Sequence, residues 1–190
     1  SYGVYPEGTN ADKQTFHIPT PGAANNPGAG VAEVYINEWL ARNSDTIADP
    51  ADGDFDDRLE LYNARTQALD LTSFRLVGSV SSTNGTSIPS GHVIPAKGFM
   101  LVWADGETGQ NTTNSDLHVG FNLSSTGDVI RLYAPDGTLI DGIVFGPQRK
   151  DIAEARYPDG SDDIYETPIP TPDAANKLLK ITSFTPTANG

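Results

Sequence analysis

Five aspartates crowd into one short segment, Asp49-Pro50-Ala51-Asp52-Gly53-Asp54-Phe55-Asp56-Asp57. Carboxylates spaced by two in a glycine-containing loop suit a hard cation, because calcium takes about six to eight oxygen ligands. Asp52, Asp54 and Asp56 match the first three ligand positions of an EF-hand loop. The rest of that pattern fails, since Asp57 stands where the invariant glycine belongs and Asn63 where the bidentate glutamate belongs. A calcium site formed by Asp49, Asp52, Asp54, Asp56 and Asp57 is therefore of another type, and the competing reading is a solvated acidic loop. No other cofactor is indicated.

Nucleophilic chemistry has little to draw on. The histidines are His17, His92 and His118, and there is no cysteine, which removes disulfides, a thiol nucleophile and cysteine-type zinc sites. Ser90 lies two residues from His92, but a triad also needs a third group to orient the base. His118, beside Leu117 and near Phe121, reads as a structural histidine. No catalytic residue is assigned. Trp39, Trp103, Tyr35, Tyr62 and Tyr133 are the candidates for a sugar-stacking platform, and core packing is their competing role.

The chain carries 25 acidic and 12 basic residues, a formal charge of -13. That field repels a phosphate backbone and argues against nucleic acid as a partner; Gln148-Arg149-Lys150 is the single basic hint. No apolar run approaches the roughly 18 residues of a membrane helix, so no insertion is expected. With 19 glycines and 14 prolines in 190 residues, the chain is cut into short pieces, which favours many strands over a few helices.

These strands must position the acidic loop. Arg58-Leu59-Glu60-Leu61-Tyr62-Asn63 alternates apolar and polar side chains and reads as a central strand. Val31 to Leu40 precedes it, with Val34, Ile36 and Trp39 turned to the core, and Ala41 to Asp57 forms the loop between. Further strands are expected at Phe74 to Val77, at the apolar run Phe99 to Trp103, and at Leu117 to Leu123. A loop from Ser79 to Ser87 should turn at Asn84-Gly85. Asp128 to Tyr133 should pair with Thr138 to Phe145 across Ala134-Pro135-Asp136-Gly137.

Ile36-Asn37-Glu38, Leu59-Glu60-Leu61-Tyr62-Asn63, Leu69-Asp70-Leu71-Thr72-Ser73-Phe74-Arg75-Leu76 and the stretch Leu117 to Asp128 resemble, in order and spacing, the lamin tail domain. The resemblance implies an all-β, immunoglobulin-like β-sandwich of Greek-key type. It also implies a non-catalytic interaction or spacer module of a larger bacterial secreted or cell-surface protein. The expected partner is a protein or a neighbouring repeat of the same chain. Carbohydrate binding and a calcium-stabilised adhesion domain are the alternatives.

Tyr5-Pro6-Glu7-Gly8 is echoed by Tyr157-Pro158-Asp159-Gly160, at an offset of 152 residues. Pro19-Thr20-Pro21-Gly22-Ala23-Ala24-Asn25 is echoed by Pro170-Thr171-Pro172-Asp173-Ala174-Ala175-Asn176, at an offset of 151. Such an echo is the mark of a repeated module. The expected division is a remnant of a preceding repeat at 1–27, a sandwich at 28–176, and a following domain or tail at 177–190.

Overall fold

The computed structural model describes residues 33–79, 85–112 and 116–178, and of the N-terminal segment the two strands 2–5 and 12–15. The strands are β1 (Tyr2–Tyr5), β2 (Asp12–Thr15), β3 (Val34–Leu40), β4 (Arg58–Asn63), β5 (Leu69–Asp70), β6 (Arg75–Val77) and β7 (Thr86–Ser87). They continue as β8 (Val93–Ile94), β9 (Phe99–Trp103), β10 (Leu117–His118), β11 (Asp128–Tyr133), β12 (Leu139–Phe145), β13 (Ala153–Arg156) and β14 (Ile164–Thr167). One short 3-10 turn, Thr108–Gln110, lies between β9 and β10. The Asn84-Gly85 turn, His17 and residues 179–190 fall outside the described residues in whole or part.

Two sheets face each other. The larger has six strands in the order β10-β9-β4-β3-β13-β14, the smaller four in the order β12-β11-β6-β7. Ile36, Trp39, Leu59, Leu61 and Val102 of the first close on Leu76, Ile130, Leu132, Ile143 and Phe145 of the second. Trp39 and Phe145 meet with ring centroids 6.3 Å apart. Each fully buried Leu or Ile contributes about 1.5–3 kcal/mol relative to exposure, so this apolar interior holds the sheets together.

The central strand runs from Arg58 to Asn63, as its alternation predicts. β3 is less regular. Its register on β4 slips between Ile36 and Glu38, leaving Asn37 as a bulge. An extra residue reverses the alternation, and so Ile36 and Trp39 pair with Leu61 and Leu59 in the core. Glu38 instead stands opposite Glu60.

β10 pairs parallel to β9, placing His118 beside Trp103. β11 and β12 form the expected hairpin, with Gly137 at φ 86° in its turn. β13 pairs antiparallel with both β3 and β14, which makes β14 an edge strand.

β1 and β2 pair with each other as Tyr2↔Thr15, Gly3↔Gln14 and Val4↔Lys13. The offsets of the sequence echo carry these pairs onto Glu154↔Glu166, Ala155↔Tyr165 and Arg156↔Ile164, which are the pairs that join β13 to β14. The same hairpin register thus occurs twice in the chain.

Candidate functional site

The acidic loop after β3 folds back on itself before entering β4. Asp49 N donates to Asp54 O at 2.7 Å and Gly53 N to Asp49 O at 2.8 Å, closing a tight turn. That turn brings the carboxylates of Asp49, Asp52 and Asp56 together, with ligand oxygens within 4.8 Å of one another. A second group shares Asp49 and adds Asp105 and His118. Asp105 follows β9 and His118 ends β10, so the parallel pairing of those strands delivers both to the loop.

Within the second group, His118 Nδ1 lies 2.6 Å from Asp105 Oδ2 and 3.4 Å from Asp49 Oδ2. Asp49 is 1% exposed. Its Oδ1 accepts from Ala51 N at 2.8 Å, while no hydrogen bond reaches Oδ2 among the described residues. Gln110 donates through Nε2 to Asp52 Oδ2 at 2.9 Å and to Glu107 Oε2 at 2.5 Å, and its own Oε1 is buried without a partner among the described residues. Asp49, Gln110 and His118 line one cavity of about 480 Å³ together with Pro50, Ala51, Thr112 and Asp116.

The electrostatics are those of crowded acids. Burial, and then the charges of Asp52 and Asp105, push the Asp49 carboxyl above its ordinary range despite the Ala51 N–H and His118. Burial and the neighbouring Asp52, Asp105, Asp49 and Asp54 push Asp56 the same way. A positive charge among these oxygens would offset both effects.

A second polar cluster lies on the outer face of the larger sheet, turned away from the apolar interior. Arg58, Glu38 and Glu60 are each 0% exposed. Arg58 Nη1 donates to Glu38 Oε1 at 3.0 Å. Thr171 N donates to Glu38 Oε2 at 2.8 Å and Asp173 N to Glu60 Oε2 at 2.6 Å, so the two glutamates hold the backbone of the segment after β14. Asn176 Nδ2 donates to Asn37 O and Arg156 O, and its N to Asp159 Oδ1. Burial, with the adjacent Glu38 charge, raises the Glu60 carboxyl to about 8.

A family model described as Lamin Tail Domain matches residues 27–147. The chain belongs to the lamin tail domain family. Its domains are immunoglobulin-like, non-enzymatic, and commonly mediate interactions. A search of curated proteins finds no match.

In this lamin tail domain, the polar residues of the stretches that carry the resemblance hold the fold together. Asn37, Glu38 and Glu60 bind the closing segment, and Asn63 donates to the carbonyls of Gln67, Ile94 and Pro95. β13 and β14, beyond the matched residues, complete the same sheet.

Of the five aspartates marked by spacing, Asp54 and Asp57 do not join the cluster. Asp54 is exposed in the turn and contributes its main-chain carbonyl to it. Asp57 adjoins Asp56 in a chain running into a strand, where successive side chains point to opposite sides. Its Oδ1 accepts from Asn43 N at 3.4 Å, and burial raises its carboxyl to about 6. Spacing within one loop could not reveal Asp105, Gln110 or His118, which arrive from the β9–β10 connection.

The remaining candidates resolve simply. His92 Nδ1 lies 3.2 Å from Pro89 O and makes no hydrogen bond with Ser90. Trp39 and Trp103 are 1% and 0% exposed, their indole nitrogens bonded to Glu154 and Asp116, so neither belongs to a surface stacking platform. Gln148 is buried against Ala41 N, Arg149 pairs with Glu166, and Lys150 Nζ lies 3.6 Å from Asp151 Oδ2, so each member of the basic hint has a local partner.

Proposed function

We propose that this lamin tail domain is a non-catalytic interaction and spacer module of a larger secreted or cell-surface bacterial protein, and that it docks a neighbouring module of its own kind through a sheet edge. The observation that carries this reading is the state of β14. It ends the six-stranded sheet, and three successive residues, Ile164, Tyr165 and Glu166, are exposed although they alternate between faces. Ile164 and Tyr165 are each 43% exposed and Ile169 is 55% exposed. An edge strand open on both faces and bearing large apolar side chains is a template for strand addition.

The choice of a like module as partner is supported by the repeated hairpin register of β1–β2 and β13–β14. Adjacent repeats in a series present such edges at high effective concentration, so modest affinity suffices. Sedimentation velocity of the chain from micromolar to millimolar concentration tests the reading. Reversible association, abolished by Tyr165→Lys, is expected. A monomer throughout that range would refute self-docking at this edge.

A further inference from the structure

We propose that Asp49, Asp52 and Asp56 bind a calcium ion, with Gln110 Oε1 as a further protein oxygen and the Asp105–His118 pair closing the inner wall of the site. The cluster alone would be unremarkable, since acidic groups commonly gather on a protein of charge -13. What singles it out is Asp49. An ionised oxygen that is out of water and without a hydrogen bond is costly, commonly several kcal/mol for a charged group. Asp49 Oδ2 is such an atom among the described residues, and His118 Nδ1, which stands 3.4 Å away, is engaged with Asp105 instead. A second buried acceptor without a donor among the described residues, Gln110 Oε1, belongs to a side chain lining the same cavity and anchored to Asp52.

Two triads share Asp49, and one distance decides between them. Ligand atoms around a cation at about 2.4 Å stand about 3.4 Å apart in regular coordination. His118 Nδ1 and Asp105 Oδ2 are 2.6 Å apart, a hydrogen-bonding separation. The imidazole therefore donates a hydrogen bond through Nδ1–H to the Asp105 carboxylate and keeps it in place. The outer triad offers oxygens only, and its donor set suits a hard cation. Water would complete the shell.

The test is calorimetric titration and thermal melting of the whole chain with calcium chloride, after exhaustive chelation. Binding near one ion per chain is expected. A free concentration a hundredfold above Kd should raise Tm by roughly 5–10 °C. Asp49→Asn should abolish both signals, and the half-buried Asp56→Asn gives the same answer should the first variant fold poorly. His118→Gln should retain binding with reduced affinity. Zinc or manganese binding that His118→Gln abolishes, with no response to calcium, would place the ion on the inner triad and overturn the assignment. A calcium response unchanged in both aspartate variants would also overturn it.

Discussion

Glu60→Gln should stabilise the protein at neutral pH, and the gain should grow with pH. Glu60 is fully buried on β4 opposite Glu38, and its carboxyl is raised from its ordinary 4.5 to about 8 by burial and by that neighbour. The unfolded chain releases this proton near 4.5, whereas the folded chain keeps it until about 8. A raised acid contributes its full stability below the unfolded value and loses it as pH rises toward the folded one. The loss is about 1.4 kcal/mol per pH unit, hence about 3 kcal/mol at pH 7. Glutamine is neutral at every pH and can still accept from Asp173 N, the 2.6 Å bond that ties down the closing segment. It disturbs the long 3.4 Å bond from Asn37 Nδ2, worth about 1 kcal/mol. The net expectation at pH 7 is about 2 kcal/mol of added stability, roughly 4–8 °C in Tm. Denaturant unfolding of both proteins at pH 5, 6, 7 and 8 gives the difference directly. A difference that does not change with pH, or one that increasingly favours the parent as pH rises, would refute the reasoning.

Two further substitutions test the closing segment. Asn176→Ala removes the side chain that bonds Asn37 O, Arg156 O and Thr171 Oγ1 at a 7% exposed position. Stranding those buried groups should cost about 2–3 kcal/mol in denaturant unfolding, with faster amide exchange across β13 and β14. Gly160→Ala puts a side chain on a residue at φ 73°, with the new Cβ 2.8 Å from the Tyr35 ring. It should lower stability by about 1–3 kcal/mol, read in the same assay.

The sequence revealed most where the chain is most regular. Leu59 and Leu61 alternate with polar neighbours on a strand that obeys its period, and the β11–β12 hairpin follows from Pro135, Asp136 and Gly137 in its turn. Asn37 shows the limit. A bulge resets the face of every later residue, and nothing in local spacing announces that Glu38 will meet Glu60 or that Trp39 will face Leu59. The acidic site divides in the same way. Asp49, Asp52 and Asp56 lie close in sequence, and their meeting needs only one loop. Asp105 and His118 reach Asp49 because β10 lies parallel to β9, a long-range pairing that two-residue β10 hardly signals. Glu38 and Glu60 stand in the stretches that resemble the family and Asn176 in the internal echo, while their shared work of holding the closing segment emerges only from the fold.

The most direct test of docking at the sheet edge is an amide NMR titration of the chain against itself, from about 20 μM to 1 mM, following β14 and its neighbour β13. Concentration-dependent shifts confined to Ile164–Thr167 and the residues beside them, absent in Tyr165→Lys, are the predicted result. Spectra unchanged over that range, or shifts on another face that survive in Tyr165→Lys, would contradict it.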